Sequence, residues 1–204
     1  MRRFVVAFPS TAAASKVDLH NLADGGRFDL VARCAMTGLL TSHGIRSDTV
    51  LELHLGGPPP LTLTLDGRKV THLHPSERAA AGLLQEALSS WYRVAPPMTV
   101  PVDTTPGITA RGEDFGRLLD RLEQPIILLD ESAPAHAGAM PPGTFLVGGH
   151  RGLGMADLAA LAVQPQVLRV GLGPVHYHAD AVLSVVHYLL DTHNGAVPGG
   201  FGGL

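Results

Sequence analysis

Cysteine is nearly missing from this chain of 204 residues: Cys34 stands alone. One thiol excludes an intramolecular disulfide and a thiolate zinc cluster. Lysine is almost as scarce, with only Lys16 and Lys69, and the net charge is −3 with a pI near 6.4. The chain as a whole therefore lacks the basic footprint of most nucleic-acid binders. Any RNA contact has to come from a local arginine patch, such as Arg27, Arg33 and Arg46, whose planar forks suit phosphate or carboxylate. No apolar run approaches the ~18 residues of a spanning helix. The apolar run behind Met1-Arg2-Arg3 is too short for a secretory core and reads as a first buried strand. A cytoplasmic protein without a membrane partner is expected. Also missing are an HExxH, a GxSxG elbow and a P-loop. Gly148-Gly149-His150-Arg151-Gly152 has the wrong spacing for a dinucleotide loop, and no suitably placed acid follows it to hold a ribose.

What is present is a foldable composition, 45% hydrophobic and 16% charged, at a length that suits one domain or one domain with an arm. Residues 2–8 read as a strand. Residues 27–42 place Phe28, Val31, Ala35 and Leu39 at helical spacing, and His43-Gly44-Ile45-Arg46 ends that helix, with glycine as a left-handed stop. Residues 49–55 form a second strand. Residues 61–65 alternate with threonine, and Asp66-Gly67 predicts a turn into 69–73, giving a hairpin arm over 55–75. Ser76 caps a helix reaching Trp91. Residues 93–109 carry four prolines and no periodicity, as in a surface connector.

A short helix at 113–122 and a doubly buried strand at 125–129 follow, then a loop at 130–143. Residues 144–147 and 166–170 are further strands on either side of a helix at 155–162, and a helix at 178–192 closes the unit. The expectation is an α/β fold with a mostly parallel sheet over residues 1–194 and a flexible Gly-rich tail at 195–204.

The chemistry gathers where strands stop at glycines. Leu129/Asp130, Gly148/Gly149 and the loop 171–176 together suit a flat adenine held by main-chain groups, with apolar cover from Leu128, Leu129, Leu172 and Val182. Three ordinary β-to-α turns would read the same way. His72/His74 and His176/His178 are paired at i,i+2, yet acids do not cluster near them, so no metal is expected. His187 and His193 are expected to be exposed or capping. Cys34 falls in an apolar helical stripe and reads as core. Asp29 and Arg33, four apart, share a helix face; this is either a solvated ion pair or part of a site.

Five stretches carry a resemblance. They are G-G-R-F-D-L-V-A-R-C-A-M-T-G-L-L-T-S-H-G-I-R-S-D (25–48), H-L-H-P-S-E-R (72–78), I-L-L-D-E (127–131), L-V-G-G-H-R-G (146–152) and L-G-P-V-H-Y-H-A-D (172–180). In these the chain resembles the TrmY family of SPOUT methyltransferases, S-adenosyl-L-methionine-dependent enzymes that methylate N1 of pseudouridine at T-loop position 54 of tRNA. The resemblance implies a sheet whose C-terminal part, 125–191, is tied in a deep trefoil knot. It also implies a homodimer whose substrate site is shared between subunits.

Cofactor contacts implied by the resemblance fall on Leu129, Gly148, Gly149, Gly171, Leu172, Gly173, Pro174, Val175, His176 and Val182. Asp29 and Arg33 are implied to meet the substrate, with Arg27, His43 and Arg46 as further contacts. Two positions depart from the family pattern: Gly149 replaces an aspartate, and Val182 replaces a cysteine. With the acidic pI and few lysines, these departures keep open an N-methyltransferase of a small nucleoside, heterocycle or peptide, or a homologue that binds the cofactor without turnover.

Overall fold

A computed structural model describes residues 1–14, 16–24, 26–136 and 138–193, with the side chain of 193 not included; the expected tail at 195–204 lies outside the described residues. The elements run β1 (Arg2–Phe8), α1 (Phe28–Leu39), β2 (Leu40–Thr41), β3 (Gly44–Ile45), β4 (Thr49–Leu55), β5 (Leu61–Asp66), α2 (Glu77–Val94), β6 (Val102–Thr105), β7 (Ile108–Gly112), α3 (Phe115–Asp120), β8 (Ile126–Leu129), β9 (Thr144–Gly148), α4 (Met155–Ala162), β10 (Val167–Val170) and α5 (Ala179–His193).

The main sheet has eight strands in the order β10-β8-β9-β1-β4-β5-β7-β6. From β10 to β4 every pairing is parallel, and from β4 to β6 every pairing is antiparallel. Side-chain pattern explains the division. F-V-V-A-F in β1 and I-I-L-L in β8 are apolar on both faces, as strands covered on both sides must be. Phe4, Val6, Phe8, Ile127 and Leu129 join the core under α1, α2 and α5, whereas Val5, Ala7, Ile126 and Leu128 join a second core under α3 and α4. By contrast β5 and β7 alternate. Leu61, Leu63, Leu65, Ile108 and Ala110 face the first core, and their threonine and arginine neighbours take the other face.

Where the parallel half ends, the chain is laced upon itself. The Asp130 N–H donates to Val170 O at 2.9 Å, the Gly171 N–H to Pro134 O at 3.2 Å, and the His136 N–H to Gly171 O at 2.8 Å. The exit of β10 is thus held by the connection that leaves β8. From there the chain reaches α5, which packs beside α1.

Several expectations need correcting. The helix α1 stops at Leu39, and residues 40–45 fold into the β2–β3 hairpin. Gly44 is not among the left-handed glycines, so hairpin pairing rather than a glycine stop ends the helix. The stretch 69–73 is not a strand: β5 pairs with β4 and β7, inside the main sheet, and the segment after Asp66 coils because the Lys69 and Val70 N–H groups bond back to Asp66 O. No hairpin arm projects over 55–75. The supposed connector contains β6 and the first two residues of β7, joined at Pro106-Gly107 with Gly107 at φ 80, as a type II turn requires. Ser76 occupies the N-cap of α2 without a side-chain capping bond. His187 is buried, not exposed.

Four of the buried ionisable groups, Glu52, Glu113, His54 and His187, are paired. Glu52 and Glu113 share the Arg121 guanidinium, Nε lying 3.0 Å from Glu113, and Glu52 takes a second bond of 2.7 Å from Arg3. His187 donates from Nε2 to Gly38 O at 3.0 Å, so its Nδ1 is the acceptor for Arg2 at 3.2 Å. His54 bonds the Thr62 hydroxyl at 3.0 Å and lies against Phe115. Burial, which disfavours the charged ring, pushes His54 and His187 down from 6.5 to about 4.

Removing the shared guanidinium strands two buried carboxylates, so Arg121→Met is expected to lose ~3–5 kcal/mol of unfolding free energy in urea titrations. The unfolded chain binds protons at its histidines near pH 6.5, whereas the native rings stay neutral to about 4. Stability should therefore be flat above pH 6.5 and fall as the pH drops from there to 4, by ~3 kcal/mol per ring. Unfolding midpoints measured across that window check this, and His187→Gln should make the fall shallower.

Candidate active site

The C-terminal ends of the parallel strands open into a cavity of about 1100 Å³. Leu129, Val147, Leu172, Ala179 and Val182 give it apolar wall, Gly148, Gly149 and Gly173 give it main chain, and Asp130, Glu131, His150 and Tyr177 supply polar groups. Gly173 has φ 123, and a Cβ added there would meet nothing within 4 Å, so its backbone lies bare to open space. The Gly149 N–H donates to Ala7 O at 2.7 Å, seating the loop after β9 on the end of β1. Apolar faces with bare peptide groups and carboxylates suit a flat purine nucleoside that carries positive charge.

Of the residues expected to hold a cofactor, Leu129, Gly148, Gly149, Leu172, Gly173, Val175 and Val182 line this cavity. Gly171, Pro174 and His176 are not among its lining residues. Gly171 spends both main-chain groups on the 130–136 segment, and His176 Nδ1 sits 2.8 Å from Glu131. Gly171 and His176 brace the loop instead of facing the cavity.

A charged cluster stands at the start of α1. Arg27 donates from Nε and Nη2 to the two oxygens of Asp29 at 2.9 and 3.0 Å. Arg33 donates from Nη1 to Asp29 at 3.1 Å and from Nε to Asp180 at 3.0 Å, and approaches Glu77 at 3.7 Å. Asp29 is nearly buried, and the Arg27 bonds hold its carboxyl below the usual range against the opposing effect of burial. Arg27 lies at φ 65, ψ 42, left-handed for a residue with a side chain, a conformation that costs ~1–2 kcal/mol. Thr11 helps to hold it, its hydroxyl donating to Gly26 O at 2.6 Å. Strain of this kind, kept in place by its surroundings, marks functional positions.

The expected ion pair between Asp29 and Arg33 is therefore real, but it is neither isolated nor solvated. Asp180 opens α5 just beyond the cavity loop, so the cluster and the cavity share one segment. Sequence reasoning missed Asp180, Glu77 and His150 as site residues, although all three fall within the resembling stretches. His43 is exposed in the β2–β3 turn, and neither it nor Arg46 lines the cavity. Arg46 is bound to Asp191 at 2.8 Å, with Arg2 on the same carboxylate. That lies eleven residues along α5 from Asp180, ~16 Å by helical rise. Cys34 is fully buried and burial pushes its thiol up, as befits core. Among the described residues no group of three or more His, Cys, Asp or Glu gathers around a metal site, and no helix is long and apolar enough to cross a membrane.

Comparison with known proteins now bears on this geometry. A family model described as "Putative SAM-dependent RNA methyltransferase" matches residues 1–195. A tRNA (pseudouridine(54)-N(1))-methyltransferase of Methanopyrus kandleri is 36% identical over 94% of this chain and 93% of the relative. Its namesake in Halobacterium salinarum is 34% identical over 94% and 97%. Among solved structures, Archaeoglobus fulgidus Nep1 bound to S-adenosylhomocysteine matches with a TM-score of 0.66, covering 96% of this chain and 99% of the other at 13% identity. That likeness is one of fold: a mixed, mostly parallel α/β sheet. The chain belongs to the tRNA (pseudouridine(54)-N(1))-methyltransferase family of the SPOUT superfamily.

Proposed function

We propose that this protein uses S-adenosyl-L-methionine to methylate N1 of pseudouridine 54 in tRNA, in the cytoplasm and as a homodimer. The observation that carries the reading is the junction of the two sites: Asp180 binds Arg33 at the point where the cavity loop becomes α5. The named activity of the relatives and the product-like ligand of Nep1 support it.

When bound, S-adenosyl-L-methionine supplies an electrophilic methyl group on a sulfonium. Leu129, Leu172 and Val182 would sandwich its purine, and the main chain of Gly173 would meet its polar edge. Asp29 and Arg33 orient the pyrimidine ring. Arg27, whose Nη1 has no protein partner among the described residues, stabilises negative charge on that ring. Alignment of this kind is most of what an in-line methyl transfer asks of a protein. Arg46 keeps a structural place beside Asp191, and His43 lies outside the reacting centre.

Dimerisation is supported by α4. That helix is apolar nearly all round, yet only Leu161 is buried in it, while Met155 and Val163 are 84% and 81% exposed. A helix of this composition expects cover. The second copy of the chain is its proposed occupant.

With tritiated donor, label should enter a T-loop hairpin carrying pseudouridine at position 54 and not its uridine counterpart. Label on free pseudouridine alone would favour the small-molecule reading. Asp29→Asn and Arg33→Ala should cut turnover by at least tenfold while S-adenosylhomocysteine affinity, measured by calorimetry, stays within about twofold. Gly173→Val should abolish that affinity, and turnover with it. Light scattering should give twice 21.4 kDa, and Met155→Asp with Val163→Asp should return the monomer; a monomeric parent protein removes the dimer.

A further inference from the structure

Placing a methyl group on N1 of a pyrimidine also removes a proton, and the carboxylates around the site are poorly suited to take it. Asp29 is held by both Arg27 and Arg33. Asp180 meets Arg33 through Oδ2, with Oδ1 enclosed and without a partner, and Glu77 faces the same guanidinium. On the cavity wall, Asp130 is bound by Arg169 and Ser132, and Glu131 faces His176. For Asp29 the Arg27 bonds, and for Asp130 the bonds from Ser132 and Arg169, outweigh burial and hold the carboxyl below its usual range. Two imidazoles remain among the described lining residues, His150 and His178.

Their settings differ. His178 is exposed at the entrance to α5. His150 follows Gly149, whose N–H is pinned to the end of β1, and the loop leaving β1 in turn holds Gly26 through Thr11. That chain of contacts sets His150 between the cavity and the start of α1, within the electrostatic reach of Arg27 and Asp29. Its Nδ1 is enclosed and receives no hydrogen bond from the protein. Its Nε2 is not enclosed in this way. An enclosed ring nitrogen without a partner makes the doubly protonated ring costly.

We infer that Nε2 of His150 takes up the N1 proton of the substrate as the methyl group arrives. This inference rests on the methyltransferase reading above. N1 keeps the electron pair of its N–H bond and uses it to bond the methyl carbon. The pair of the methyl–sulfur bond stays with sulfur, and the proton passes from Nε2 to solvent. The charged groups facing the ring are Arg151 and Arg27, which repel a proton, and Asp29, which attracts one. With burial as the largest influence, the ring lies below its ordinary value and is neutral at pH 7, ready to accept. Arg27 serves the same step from the other side, by stabilising the anionic pyrimidine.

The test uses the full chain, S-adenosyl-L-methionine and the pseudouridine hairpin. His150→Gln should lower kcat by about 10²–10⁴-fold at pH 7, with melting temperature and S-adenosylhomocysteine affinity unchanged. The deficit should narrow as the pH rises, because the substrate N–H then ionises unaided. A kcat within threefold of the parent, or a deficit constant across pH, overturns the proton role. In the free protein, an NMR titration should place His150 below 6.5, and Asp29→Asn should lower it further; a value above 6.5 counts against the inference. Failure of the unmodified protein to label any RNA, while still binding S-adenosylhomocysteine, would instead refute the substrate reading and take this inference with it.

Discussion

One guanidinium, that of Arg33, fastens three segments that are far apart in the chain. Asp29 belongs to its own helix, Glu77 opens α2, and Asp180 opens α5. Because α5 begins where the cavity loop ends, this contact sets the distance between the two halves of the site. A lysine in its place would offer a point charge instead of a fork and would not hold three carboxylates in one plane. The left-handed backbone at Arg27 is sustained by the same arrangement, since its side chain grips Asp29 from the opposite side.

The sheet supplies the rigidity that this cluster needs. Within its parallel half β1, β8 and β9 are buried on both faces, and with the edge strand β10 they deliver their ends to one rim. The antiparallel half does different work. It buries one leucine-rich face, and on the other keeps Glu52 and His54 under Arg121 and Phe115. The buried ion network pins α3 against the sheet, on the side away from α1 and α5.

Much of the scaffold was legible because short-range pattern controls it. F-V-V-A-F and P-I-I-L-L can only be doubly covered strands, and the helical spacing of Phe28, Val31, Ala35 and Leu39 was plain. What was misread had its cause at longer range. Asp66-Gly67 has hairpin chemistry, yet the strand before it finds better partners in β4 and β7 than in the residues just beyond. Prolines hid β6 and β7, although all four lie before β6 or in the turn between the two strands and none within either. His187 looked like an exposed helix residue until Arg2 and Gly38 were brought to either side of its ring.

By itself the sequence determined the class of fold, the glycine-ended strands that leave backbone free for a ligand, and the family to which the chain belongs. These properties reside in runs of a few to two dozen neighbouring residues. The tertiary structure alone decided that the Asp29–Arg33 pair is tied to Asp180 at the end of the cavity loop and that Arg46 is not in the cavity. It also decided that Gly171 and His176 brace the loop, and that His150 lines the cavity. The reason is distance along the chain: Arg33 and Asp180 are separated by 147 positions, and nothing short of folding brings a charge and its partner together across that interval.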